Sequence, residues 1–376
     1  MEVYLDNAAT TKPCEEAAAA AVEAMTDKYG NPSSLHRAGL AAQLLMDGAR
    51  KTIADSVGAD SGCIYFTSGA TECNNLALRG ASAAYGRKRK KIVISFVEHP
   101  SVDETASDLE SRGFEVTRVS PREDGRFYAA DFVSACDDET CLISMMYVNN
   151  ETGYILPVKE TFSAVKRRFP DIITHTDCVQ AYMKLPVKAS ALSADLISLS
   201  AHKVHGVKGV GALYIKKGVR VLPIITGGKQ EKGIRSGTES VPLIAAFGAA
   251  VKKLVLTITE RYEKVSGLKA YLLDKLSGIE GVTVNSPEDG SPYVVNISAV
   301  GKRSEIMLHF LESKEIYVSS GSACSKGQQS GVLGQFGIKD KRADSALRIS
   351  MTAETTEAEL DMFCEALREG MEKVRG

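Results

Sequence analysis

Between residues 63 and 215 the chain alternates short apolar, β-branched runs with amphipathic stretches, and this alternation is its strongest constraint on fold. Strand-like runs fall at 63–67, 91–96, 115–119, 141–148, 172–176, 196–199 and 212–215. Helical patterns precede them at 15–28 and 34–57, and intervene at 73–85, after Ser101 and at 158–168. Ser101 opens an S-x-x-E capping pattern with Glu104. Strands that alternate with helices imply an α/β fold with a mostly parallel sheet covered on both faces. From about Leu254 the pattern changes. A long amphipathic helix through Ile258, Val265, Leu272 and Leu276 leads to short strands at 282–285 and 293–298, and then a helix at 304–312. Thr356 and Glu359 spell a capping box for a last helix with Phe363, Leu367, Met371 and Val374 on one face. The division expected is a large α/β domain over 15–254 and a smaller α+β domain made of 1–14 with 255–376.

Composition narrows the function classes. A net charge of -1 over 376 residues offers no electrostatic reason to expect nucleic acid or an acidic membrane surface. The eight cysteines form no C-x-x-C pair and the six histidines no H-E-x-x-H, so no metal site is expected. The N-terminal residues lack the basic and apolar regions of a signal peptide, and no apolar run reaches the roughly 18 residues of a membrane span. A cytoplasmic protein with reduced thiols is expected.

Several junctions carry residues suited to chemistry. Lys203 lies between a strand and the turn Gly206-Val-Lys-Gly-Val-Gly211. A desolvated lysine there loses its proton more readily and becomes a nucleophile, whereas a surface lysine in a hairpin is the plain alternative. Ser68-Gly-Ala-Thr71 joins a strand to a helix, as an anion-binding turn or simply a helix cap. Asp177 ends a strand, with Gln180 three residues on, where a carboxylate could face a cationic ring nitrogen or cap a helix. Glu98-His99 follows another strand, and His99 could stack on a ring, carry protons or merely pack. Cys324 sits in the small-residue segment Ser319-Ser-Gly-Ser-Ala-Cys-Ser-Lys-Gly. A thiol in such a segment holds some nucleophilic thiolate near neutral pH.

The order and spelling of these elements resemble one family. Tyr4-Leu-Asp-Asn-Ala-Ala-Thr-Thr, Gly30-Asn-Pro-Ser-Ser, Phe66-Thr-Ser-Gly-Ala-Thr-Glu, Glu98-His99, Val148-Asn-Asn-Glu-Thr-Gly, Ser200-Ala-His-Lys, Arg235-Ser-Gly-Thr and Ser319-Ser-Gly-Ser-Ala-Cys are similar to motifs of NifS/IscS-type cysteine desulfurases. These are class V aminotransferase-type enzymes that use pyridoxal 5'-phosphate. The resemblance runs from about Tyr4 to Val374 and implies an aspartate aminotransferase-like fold with a seven-stranded-type sheet.

It implies roles as well. Lys203 would hold the cofactor and move protons. Asp177 would pair with the ring nitrogen, His99 would stack on the ring, and Gln180 and Asn150 would lie near the ring hydroxyl or substrate. Ala70, Thr71, Ser200 and His202 would surround the phosphate, with Thr238 supplied by the other subunit of a homodimer. Arg348 would grip the substrate carboxylate, with Asn7 and His36 as further pocket residues. Cys324 would take sulfur from L-cysteine as a persulfide, leave alanine, and pass the sulfur to an acceptor protein for iron–sulfur clusters or tRNA thiolation. Two departures stand out. After Cys324 the sequence is shorter than in many close relatives, which bears on the choice of acceptor, and Cys178 replaces a usually smaller residue beside Asp177. The alternatives are a selenocysteine lyase, a related aminotransferase, or a non-catalytic scaffold with the same fold.

Overall fold

Seven strands form the central sheet, in the spatial order Ile64–Thr67, Gly211–Ile215, Leu196–Ser200, Ile173–Asp177, Thr140–Met146, Lys91–Ser95 and Glu115–Val119. The computed structural model of the chain describes residues 2–320 and 331–374. Gly211–Ile215 runs antiparallel to both neighbours, and the remaining pairs are parallel. Every residue of Thr140–Met146 and Leu196–Ser200 is buried, because helices cover both faces. That is why these strands read as continuous apolar runs rather than alternating ones. Parallel strands bring their carboxyl ends to one edge, and Thr67, Ser95, Met146, Asp177 and Ser200 all end there.

A second core lies beside the sheet. It combines Leu268, Leu272, Val295, Ile297, Leu347, Ile349, Phe363 and Leu367 with Val3 and Leu5 from the start of the chain. Its antiparallel sheet has the order Ser319–Ser320, Ala346–Ser350, Val294–Ala299 and Val282–Val284. Val3–Tyr4 pairs in parallel with Ile316–Tyr317, which ties the N-terminus to this unit. The expected capping box at Thr356 and Glu359 is present and opens Glu357–Lys373.

Three local expectations are corrected. Ser101 does not cap the helix Pro100–Ser111; His99 does, its Nδ1 accepting from the Ser101 backbone N–H. The helix expected from residue 34 begins at Arg37, capped by His36, because Gly30-Asn-Pro-Ser-Ser34 remains a turn. The long helix expected from Leu254 begins at Ile258 and runs to Ser277; Leu254 instead ends a separate helix, Val241–Leu254, set at 75° to it. No single helix among the described residues is long and apolar enough to cross a membrane.

Candidate active site

A cleft of about 790 Å³ opens where the carboxyl ends of the central strands meet Ala346–Ser350 and the N-terminal segment. Ala70, Thr71, His99, Asn150, Asp177, Gln180, Ser200, His202, Lys203 and Arg348 all line it. Lys203 follows the strand Leu196–Ser200 in a short helical turn, and its Nζ donates to the carbonyls of Ala8 at 2.5 Å and Ala9 at 2.6 Å. The N-terminal segment therefore forms part of the wall around this amine.

Asp177 is held on both carboxylate oxygens. Val179 N–H donates to Oδ1 at 2.9 Å, and Asn74 Nδ2 donates to Oδ2 at 2.8 Å. The same Asn74 nitrogen lies 2.8 Å from Ser101 Oγ, which sits 2.8 Å from His99 Nδ1. Because Asn74 donates to Ser101, the serine proton is free to go to Nδ1, which also accepts from the Ser101 N–H. His99 thus carries its proton on Nε2. Burial lowers its pKa below 6.5, with the Lys203 cation adding to the effect and Asp177 opposing it. A neutral imidazole at pH 7 follows.

Beneath His99, the fully enclosed Glu98 accepts from the Met146 N–H at 2.8 Å and from Ser95 Oγ. Burial pushes its carboxyl up to about 8, with Asp177 adding to the rise. A protonated acid therefore braces the junction of two strands without placing a second negative charge beside Asp177.

At the other end of the cleft, Gly69 caps the 16-residue helix Ala70–Tyr85, whose first N–H groups face the cleft lip at Ala70 and Thr71. Gly69 has φ 153, and a Cβ on Gly211 would lie 2.8 Å from the Gly69 Cα. Two glycines thus let the turn approach the strand. Ser200 Oγ is buried with no hydrogen-bond partner among the described residues and lines this cleft. His202 bonds Thr10 Oγ1 at 3.2 Å, and burial, followed by Lys203, lowers its pKa to about 4. Glu72 also borders the space. Burial works to raise its pKa, but the paired Arg235 guanidinium outweighs this and holds the carboxyl below its usual range.

Arg348 donates from Nη2 to Asp6 Oδ1 at 2.8 Å and from Nη1 to the Asn150 carbonyl at 3.1 Å. Its buried Nε has no partner among the described residues. A guanidinium with one enclosed, unpaired N–H suits a carboxylate.

The remaining sequence candidates lie elsewhere. Asn7 is buried beside the cleft, donating to the carbonyls of Tyr4 and Ser350. His36 is an exposed helix cap, and Thr238 is exposed in the segment before Val241–Leu254. Neither lines the cleft of this chain. Cys324 lies outside the described residues, while Ser319 and Ser320, just before its segment, line the cleft. Cys178 is fully buried and its thiol is pushed up by burial. No local pattern in the sequence singles out Asn74 or Asp6, because the partner of each lies far along the chain.

The cleft fits pyridoxal phosphate by its donor set. An amine on one wall, a carboxylate fixed on both oxygens, and an unpaired buried hydroxyl that lines the cleft together with the start of Ala70–Tyr85 answer to aldehyde, ring nitrogen and phosphate.

The sequence pattern of the aminotransferase class-V family matches residues 3–363. A curated relative from Lactobacillus delbrueckii subsp. bulgaricus, the "NifS/IcsS protein homolog", is 39% identical over 372 residues, covering 98% of this chain and 96% of its own. "Cysteine desulfurase IscS" of Dictyoglomus turgidum is 38% identical over 378 residues, covering 100% and 95%. Among solved structures, a "NIFS-LIKE PROTEIN" superposes with a TM-score of 0.93 at 34% identity, covering 98% of this chain and 99% of that one.

Proposed function

The chain belongs to the aminotransferase class-V family, and on that premise we propose that it is a pyridoxal-phosphate-dependent cysteine desulfurase of the NifS/IscS type. The observation that carries this reading is Lys203 and Asp177 in one cleft with Arg348 and the Ser200 hydroxyl. L-Cysteine and the Cys324 thiol give L-alanine and a persulfide on Cys324. The substrate C–S bond breaks, an S–S bond forms, and the thiol proton ends on alanine. Arg348 binds the substrate carboxylate through its guanidinium, whose Nε–H is enclosed and unpaired among the described residues, with Asn150 beside it. His99, neutral at pH 7, and Lys203 move protons at the substrate's carbon and sulfur atoms. Pyridoxal phosphate, when bound, supplies the electron sink that weakens bonds at those carbons. Asp177 holds charge against its ring nitrogen, Gln180 faces its ring, and Ala70, Thr71, Ser200 and His202 hold its phosphate. Ser319 and Ser320, which line the cleft, precede Cys324 in sequence by five and four residues.

We read the two cores as two domains, 15–254 and 1–14 with 255–376, with the cleft between them. The active unit is a homodimer in which Thr238 serves the partner's phosphate site. An acceptor protein takes the sulfur, and the enzyme acts in the cytoplasm, where thiols stay reduced. The test is Lys203→Ala. The wild type, loaded with cofactor, should show a visible band and form alanine from cysteine. Lys203→Ala should lose the lysine-dependent band and nearly all turnover, and unchanged turnover would sink the proposal.

A further inference from the structure

Lys184 is a buried cation that the chemistry above leaves without a task. It lies one turn beyond Gln180, and its Nζ donates to Gln180 Oε1 at 3.1 Å. Gln180 Nε2 in turn donates to the Ala8 carbonyl at 2.9 Å, the same oxygen that accepts from Lys203 at 2.5 Å. Lys184 also stands 5.6 Å from the centroid of Tyr293, which packs in the second core.

The two ends of Gln180 are chemically distinct. A carbonyl only accepts, so the atom facing Ala8 must be the amide nitrogen. An ammonium only donates, so the atom facing Lys184 must be the amide oxygen. The carboxamide has one orientation that satisfies both neighbours, and in it the second Nε2 proton is left for the cleft that Gln180 lines. Deleting the lysine donor would leave Oε1 unpaired in a buried site, and only the Ala8 carbonyl would then hold the carboxamide in this orientation.

We propose that Lys184 is a positioning residue that locks the Gln180 carboxamide so that it presents an N–H, never a carbonyl, to the bound cofactor. This inference rests on the pyridoxal phosphate reading. The charged groups acting on Lys184 are Lys203 and Arg348, and burial, then these two cations, lower its pKa to about 7. Below that value Lys184 is an ammonium that only donates; above it the amine can also accept, and the Ala8 carbonyl, which only accepts, keeps the amide in the same orientation.

The experiment is a spectrophotometric pH titration of the visible cofactor band in the holoenzyme, read for wild type, Lys184→Met, Lys184→Arg, Gln180→Leu and the Lys184→Met/Gln180→Leu pair. An N–H donated toward the cofactor's acidic ring oxygen favours its ionised form, so losing it raises the midpoint. Lys184→Met should raise it by about one pH unit. Lys184→Arg should stay near wild type, Gln180→Leu should match Lys184→Met, and the pair should add nothing further. An unchanged midpoint in Lys184→Met overturns the proposal. So does additivity in the pair, because Lys184 would then act as a bare charge rather than through Gln180. If Lys184→Met does not fold, Lys184→Leu, which also has no donor, carries the same comparison. Absence of any visible band in the wild type would instead overturn the cofactor reading, and this inference with it.

Discussion

His175 shows how a single buried group ties local chemistry to stability. It sits in the central strand Ile173–Asp177, two residues before the site carboxylate, with Ser144 Oγ at 2.7 Å and Ser198 Oγ at 2.9 Å on the flanking strands. Full burial lowers its pKa from 6.5 to about 3. Between those values the unfolded chain binds a proton that the native chain does not, so stability is present above the unfolded pKa and is lost as pH falls. This histidine should contribute a slope of up to about 1.4 kcal/mol per pH unit across that window. Urea unfolding at a series of pH values should show a shallower dependence in His175→Gln than in wild type. Equal slopes would mean that the histidine is not held neutral.

Elements with a local signature were legible, and elements defined by distant partners were not. The central strands announce themselves because burial on both faces demands β-branched runs, and Asp177 and Lys203 stand out as polar residues at the ends of such runs. Helix Val241–Leu254 carries no amphipathic stripe, since it is buried nearly all round. Its alanines, Ala246 and Ala250, meet Ala17 and Ala21, and a Cβ on Gly248 would lie 2.6 Å from that of Ala49. Close packing through small residues leaves no periodicity to read. The cap on Pro100–Ser111 is His99, an unusual capping residue, while Ser101-x-x-Glu104 imitates a common one. The Asp6–Arg348 pair joins residues 342 positions apart, and the Asn74–Asp177 bond joins residues 103 apart. No pattern within a window of residues encodes either. The resemblance of motifs named ten residues that line the cleft, but the groups that hold these side chains in place emerge only with the fold.

At the scale of the whole molecule, the helices Glu15–Thr26 and Arg37–Val57 and the turn between them expose Val22, Met25, Tyr29, Leu35, Leu40 and Leu44. Such clustered apolar side chains favour burial against another surface, which supports the proposed homodimer. Sedimentation should give twice the chain mass, and Leu40→Glu with Leu44→Glu should shift it toward one chain while lowering activity. A wild-type protein that sediments as a single chain would contradict that assembly. The account as a whole turns on where the sulfur goes. Incubating the holoenzyme with L-cysteine, blocking thiols and mapping peptides by mass spectrometry should locate one extra sulfur atom on Cys324, in step with one alanine released per persulfide. Alanine released in full while Cys324 stays unmodified, or while Cys324→Ala turns over at the wild-type rate, would contradict it.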